Sequence, residues 1–534
     1  MRSSYLNLLN PRPGNREGDW RYPSARPRVR LVKAFETPFS NVVSTARTCY
    51  SSKGIIADQD PLEDRWKELA QDLYQAGHHT TFQHAHFEFA IENVSRQFLW
   101  SFLHSHPFYN SEQVSQRYVP VKPGQFVVPD LDEVSDGIYR ATAEMQMEAY
   151  KRLCETLHPV VAKEYYRRFR NRGEEHDKHE KNVNKKAMEM ARYVLPVATF
   201  AYLYHTVSGI TLLRYARLCD QPDCPTEQRE VVRSMIDELL QWDSGYAAVL
   251  ERPMELEDLP ESTWCGGIDT ASVNRARAFV REFDSGMKGS FSTLVGWSNG
   301  AEALLADAVR EVVGRSRAEI SDSEAISLAL DSARNRVLGE SLNLTTHSKL
   351  CRALFHPHYN FRKRISHTAD SQDQRHRMTP ASRPVLAAHY TGEPDFITPE
   401  VFAESGECLD FYRDAMRKSW AGINALLERG VEPEKALYLL PNGAAVRFTE
   451  SADLLNLRHK HAMRLCYNAQ EEIWRASVEE ALQIREVHPL IGAYLLPPCG
   501  HRESAATKPY CPEGDRYCGI PVWRLDLKDY QRVI

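Results

Sequence analysis

Apolar residues recur along this chain with two different periods, and each change of period marks an element. A short apolar run at 29–32, then Pro38 and Ala46-Arg-Thr-Cys-Tyr50, reads as a strand, a turn and a helix within 28–54. Leu62, Trp66, Leu69 and Leu73 follow at i, i+4, i+7 and i+11, one face of an amphipathic helix opened by Pro61 and stopped by Gly77. Beyond Gly77 the period shortens: Phe87, Phe89 and Ile91 alternate with Glu88 and Ala90, the pattern of a strand with one buried face. Helical segments are expected around 137–157 and 186–240. The longest apolar run, 194–213, contains Pro196, His205 and several hydroxyls, so it reads as a buried helix rather than a membrane span of ~20 cleaner residues. The densely charged stretch 172–186 reads as a solvated loop or helix face.

A weak internal repeat organises these elements. Leu195-Pro196 recurs as Leu440-Pro441, an offset of 245, and each pair precedes an apolar run and a glutamine-containing acidic stretch, Glu227-Gln-Arg-Glu230 and Ala469-Gln-Glu-Glu-Ile473. Ser115-Gln-Arg-Tyr118 recurs loosely as Asp373-Gln-Arg-His376, an offset of 258. Repeats at this period mean a duplicated domain, since solenoid units run to ~20–50 residues. Pro253, Pro260 and Cys265-Gly-Gly267 interrupt the pattern and place the join there. The expected division is an N-terminal arm at 1–27, a first domain at 28–255, a linker at 256–289, a second domain at 290–495 and a C-terminal segment at 496–534.

Composition narrows the function classes. Over 534 residues, 42% are hydrophobic and 26% charged, with a formal net charge of −5, so neither a membrane protein nor a large nucleic-acid interface is expected. The N-terminal stretch is polar and broken by Pro11, Pro13 and Pro23, unlike a secretory signal. Eleven cysteines scattered over a long chain suit a reducing, cytoplasmic setting.

Three blocks in the first half carry the chemistry: Gly77-His-His-Thr-Thr-Phe-Gln-His84 with Phe87-Glu-Phe89; Val94-Ser-Arg96 leading to His104-Ser-His106 and Ser115-Gln-Arg-Tyr118; and Ala191-Arg-Tyr-Val-Leu-Pro196. In this order and spacing they resemble the flavin-dependent thymidylate synthase family, with its Gly-His-x-Ser/Thr block, its Arg-His-Arg signature followed by Ser-x-Arg-Tyr, and its Ala-Arg-x-x-Leu-Pro segment. Half one departs from the family where charge matters. Both signature arginines are missing, whether the signature is set on His104 and His106 or one residue later. The arginine of the family's Leu-Arg segment falls on Cys219. Half two shows the reverse pattern. Phe361-Arg-Lys-Arg-Ile365 resembles Phe-Arg-His-Arg-Ile, and Arg464 falls where the Leu-Arg arginine belongs, but Leu437 replaces the arginine kept in half one as Arg192 and Asp373 replaces the signature serine.

The resemblance implies an α+β fold in two tandem copies, helices packed on an antiparallel sheet. It also implies methylation of dUMP or a close pyrimidine nucleotide at C5, with FAD as cofactor and NADPH and methylenetetrahydrofolate as co-substrates. Arginines suit such a substrate because their planar donors bind phosphate bidentately and stay charged. By resemblance Arg464 and Ser115 are the catalytic candidates, Arg464 at the uracil edge and Ser115 near the base. Arg117 and Arg192 are expected at the phosphate, with Gln116, Arg362 and Arg375 also on the substrate. His78, Thr80 and Gln83, with His104, Ser105, His106, Lys363 and Arg364, are the flavin candidates. Family enzymes are tetramers with shared sites, so two tandem chains are expected as a homodimer, a four-domain pseudo-tetramer whose sites draw on unlike domains. The rival class is a pseudoenzyme, a flavin- or nucleotide-binding assembly module. Structural readings stand beside these: His78 and His84 as core histidines, Arg192 as an ion-pair partner, and 362–364 as a solvated basic turn.

The C-terminal segment carries a separate signal, Cys499, His501, Cys511 and Cys518 among prolines and glycines. Three thiols and an imidazole fit a closed tetrahedral zinc site. Free thiols or a cysteine pair are the alternatives. His356-Pro-His358 reads as structural or surface histidines.

Overall fold

The middle of the run at 194–213, Phe200–Ser208, is a strand. In the computed structural model Ala201, Leu203, His205 and Val207 are buried while Tyr202 and Tyr204 are 56% and 58% exposed, the two-residue period of a strand with one face covered. The helix begins only at Gly209, as Gly209–Leu218. A continuous apolar run does not by itself separate a buried strand from a buried helix. The structure describes residues 23–59, 62–169, 172, 176–251, 259–260, 268–340, 348–532 and 534. Pro61 and Cys265-Gly-Gly267, and most of the expected N-terminal arm, lie outside them.

The chain forms two compact units, and neither is a continuous stretch of sequence. The first comprises 1–147, 196–272 and 419–440; the second comprises 148–195, 273–418 and 441–534. The sequence repeats have therefore exchanged segments: part of half one completes the second unit, and part of half two completes the first. The expected linker at 256–289 carries a helix, Thr270–Met287, with Ala276, Phe283 and Met287 buried.

In the first unit β1 (Arg28–Ala34), β2 (His86–Ser95), β3 (Asn110–Gln113) and β4 (Phe200–Ser208) form an antiparallel sheet in the order β1-β2-β4-β3. Phe87, Phe89 and Ile91 of β2 pack into a core with Phe98, Phe102, Tyr215 and Tyr246. Ser95 ends β2 and caps the helix Arg96–His104, accepting from the Phe98 amide at 2.8 Å. Buried Glu227 fixes this corner: it accepts from the Ser95 amide at 2.7 Å, the Ser95 hydroxyl at 2.5 Å and the Tyr438 hydroxyl at 2.7 Å. Burial pushes the Glu227 carboxyl up to about 7, while these three donors pull the other way.

In the second unit β5 (Ser292–Trp297), β6 (His358–Ser366) and β7 (Ala445–Asp453) form an antiparallel sheet in that order. The corner is repeated. Ser366 caps the helix His367–Asp373, and Glu472 accepts from its amide at 2.5 Å, from its hydroxyl at 2.6 Å and from the Tyr193 hydroxyl at 2.5 Å. Tyr193 and Tyr438, like Glu227 and Glu472, stand 245 residues apart, and each tyrosine serves the glutamate of the opposite half. Backbone bonds accompany the exchange. Val197 and Ala198 donate to Leu440 and Tyr438 in the first unit, and Asn442 and Gly443 donate to Leu195 and Tyr193 in the second.

Candidate active site

The positions of the two corner serines settle which residues are equivalent in the halves. Ser95 pairs with Phe200 across β2–β4, and Ser366 with Ala445 across β6–β7, so β6 corresponds to β2. Nine residues beyond Ser95 stands His104; nine beyond Ser366 stands Arg375. Downstream, Ser111 pairs with His205, and Ala381 bridges Glu450 at the matching place. The half-two counterpart of His104-Ser-His106 is therefore Arg375-His-Arg377. Phe361-Arg-Lys-Arg-Ile365, read from sequence as the signature, is instead the middle of β6. The tripeptide Arg375-His376-Arg377 matches the family's Arg-His-Arg residue for residue.

This changes the reading of 362–364. Phe361, Lys363 and Ile365 all face inward. Lys363 is 2% exposed, with its ammonium 2.8 Å from Glu480, 3.0 Å from Glu450 and 3.8 Å from Asp373. Lys460 lies 2.5 Å from Glu450 and 2.7 Å from Asp373, and Arg464 lies 3.1 Å from Asp373. Three cations thus face three carboxylates in the core, and Lys363 belongs to this network rather than to a flavin-facing surface. Arg364 pairs with Asp395 at 3.0 Å and with Asp284, which also hold Arg447. Arg362 lies over the Phe283 ring. None of the three forms a solvated turn.

Beside this network the second unit gathers its other cationic groups. Arg192, buried, donates to the Gln372 side chain at 3.2 Å, and Arg464 donates to the Gln372 carbonyl at 2.9 Å. One residue thus receives an arginine from each half of the sequence. Arg375 is exposed and Arg377 half-buried on the following turn. Between them, burial and then the neighbouring Arg464 hold His376 well below its ordinary pKa, so it is a neutral imidazole at pH 7. Gln374 is buried, and neither polar atom of its amide has a hydrogen-bond partner among the described residues.

The first unit carries the opposite set. The 245-residue offset places Leu437 where the second unit has Arg192 and Cys219 where it has Arg464; both are buried. His104 packs edge-on against Trp100, and Ser105 donates to the Phe102 carbonyl at 2.6 Å. His106 accepts from the Phe108 amide and faces Arg214 at 3.3 Å; burial and then Arg214 lower its pKa. Ser115 accepts from the Arg117 amide at 3.3 Å, Gln116 is buried, and the Arg117 guanidinium lies over the Tyr118 ring. His78, Thr80 and Gln83 are exposed on one short turn that includes the 3-10 helix His79–Gln83, while Phe82 anchors that turn in the core.

His501 lies apart from the chemistry expected of it. It is buried, with Nδ1 3.0 Å from the Ser332 hydroxyl and near the Arg458 guanidinium, and it does not line the cavity that Cys499, Cys511 and Cys518 share. Among the described residues no three His, Cys, Asp or Glu side chains stand in closed metal-binding geometry, and no helix is long and apolar enough to cross a membrane.

The family model of the thymidylate synthase complementing protein matches residues 30–243 and again 293–490. The chain belongs to this family. It carries the family's domain twice. A flavin-dependent thymidylate synthase of Clostridium tetani is 30% identical over 217 residues, 40% of this chain and 80% of that protein. One of Halobacterium salinarum is 24% identical over 255 residues, 40% of this chain and 91% of its own length. Among solved structures, a UMP/dUMP methylase, PolB, from Streptomyces cacaoi matches with 18% identity, covering 43% of this chain and 99% of its own, at a TM-score of 0.31.

Proposed function

We propose that this protein is a flavin-dependent methyltransferase acting at C5 of dUMP or a close pyrimidine nucleotide, with its nucleotide site built by the second unit. The observation that carries this reading is the meeting of Arg192 and Arg464 on Gln372 beside Arg375-His-Arg377. Arginines from separate parts of the sequence surround one turn with fixed positive charge, which suits a phosphate and the carbonyl edge of a pyrimidine. A neutral His376 leaves that charge to the arginines at pH 7. The unpartnered Gln374 amide offers one donor and one acceptor, the complement of an imide edge.

The first unit bears on the flavin. Its exposed turn carrying His78, Thr80 and Gln83 suits the polar tail of such a group. When bound, the flavin supplies the hydride and one-carbon chemistry, with NADPH and methylenetetrahydrofolate as co-substrates. The chain's own residues orient the nucleotide: Arg192 and Arg375 on the phosphate, Arg464 toward the uracil edge. Ser115, Gln116 and Arg117 stand on the first unit's own loop, and association into a homodimer supplies four such units.

The second reading, a binding or assembly module, is favoured by Leu437, Cys219, His104 and His106, which strip the first unit of the equivalent charge. Release of tritium from [5-³H]dUMP by the purified protein with FAD, NADPH and methylenetetrahydrofolate tests the enzyme. No release from protein that binds flavin and dUMP would leave the module.

A further inference from the structure

The C-terminal segment folds back so that cysteines far apart in sequence line one cavity. Cys466 follows the helix Leu454–Arg464 by two residues, Cys499 sits in the helix Pro498–Ser504, and Cys511 and Cys518 flank a turn. All four line a cavity of about 20 Å³, closed by Tyr467, Pro498, Tyr517 and Ile520, room for little more than one water-sized sphere. Each of the six sulfur pairs is close enough to interact electrostatically. The Cys518 thiol donates to the Ile520 carbonyl at 3.5 Å, a proton that a bound cation would displace. Gly514 and Gly519 take φ of +55° and +83°, left-handed conformations that let the turn curl around its own cysteines. The Asn468 side chain ties the two loops together, donating to the Arg516 carbonyl at 2.6 Å.

We propose that Cys466, Cys499, Cys511 and Cys518 bind one structural zinc ion as a closed tetrathiolate. Four soft thiolate donors without an open position are the ligand set of a structural rather than a catalytic zinc. The sulfurs must draw together to Zn–S distances of about 2.3 Å, which the cavity between them permits. Cys466 could not be found by spacing, because it lies 33 residues before Cys499; His501 was the nearer partner in sequence and is turned toward Ser332 instead. Since Cys466 is two residues from Arg464, the metal would also clamp the end of the helix that carries this arginine.

Elemental analysis of the full-length protein, purified without added metal or chelator, tests the site. About one zinc per chain is expected, released by a mercurial thiol reagent and detected with a colorimetric chelator. Cys466→Ser and Cys511→Ser should each lose the metal, while His501→Ala should keep it. Zinc content below about 0.2 per chain would overturn the proposal. So would four sulfurs recovered as disulfides by intact mass, visible absorbance of thiolate-bound iron, or full zinc occupancy in Cys466→Ser. The wild-type measurements stand even if a cysteine variant fails to fold.

Discussion

Substitution of Lys363 by Met separates the two roles that its position suggests. The ammonium is 2% exposed and sits among Glu480, Glu450 and Asp373, the first two within 3.0 Å. Removing it leaves three buried carboxylates facing Lys460, Arg464 and the His461 imidazole, which lies 2.9 Å from Glu480, one cation short. Breaking a buried pair by deleting one partner costs about 3–5 kcal/mol, because the remaining charge has no solvent to stabilise it. Burial alone would raise the Asp373 and Glu480 carboxyls, but Lys460 and Lys363 hold both well below the usual range. A carboxyl whose folded pKa is depressed contributes stability present above its unfolded value of about 4 and lost as pH falls through the folded value. The wild-type protein should therefore lose stability below about pH 4, and Lys363→Met should show a shallower acid dependence. In urea at pH 7 the variant's transition should move down by roughly 1–2 M, taking ~2–3 kcal/mol/M as the slope. With two units, the transition should be followed by more than one probe. An unchanged midpoint together with weakened flavin binding would refute the network and restore Lys363 as a cofactor contact.

Three further outcomes are expected. Tyr193→Phe and Tyr438→Phe each remove one hydrogen bond to a buried glutamate and should each destabilise by about 1–3 kcal/mol; unchanged denaturation midpoints would contradict the exchanged corners. Glu227 has its folded pKa raised to about 7, so its contribution is greatest below about pH 4.5 and declines as pH rises to 7; thermal midpoints across pH 5–8 should flatten in Glu227→Gln, and an unaltered slope would contradict this. Light scattering at micromolar concentration should give a dimer, and a monodisperse monomer would contradict it.

What the sequence revealed depended on how far each signal reached. The Leu-Pro pairs 245 residues apart located the duplication, and that offset also relates Glu227 to Glu472 and Tyr193 to Tyr438. Phe87, Phe89 and Ile91 showed the inward face of β2 because alternation is local. The strand Phe200–Ser208 was hidden because its outward positions are Tyr202 and Tyr204, aromatics that erase the polar half of the pattern. Lys363 was misread because a charged residue on an alternating strand looks exposed until its three carboxylates, 10 to 117 residues away in sequence, are in place. Cys466 and the exchange of segments were beyond local reading for the same reason: each is defined by distant partners.

The central claim is one charged nucleotide site per chain, on the second unit, and equilibrium titration of dUMP tests it most directly. The wild-type protein should bind one dUMP per chain. Arg192→Ala and Arg464→Ala should each weaken binding by roughly 10- to 150-fold, the loss of one charge-assisted hydrogen bond of ~1.5–3 kcal/mol. Because both arginines meet on Gln372, the double variant should be little worse than either single one. Two equivalent sites per chain, or wild-type affinity in Arg464→Ala, would contradict the account.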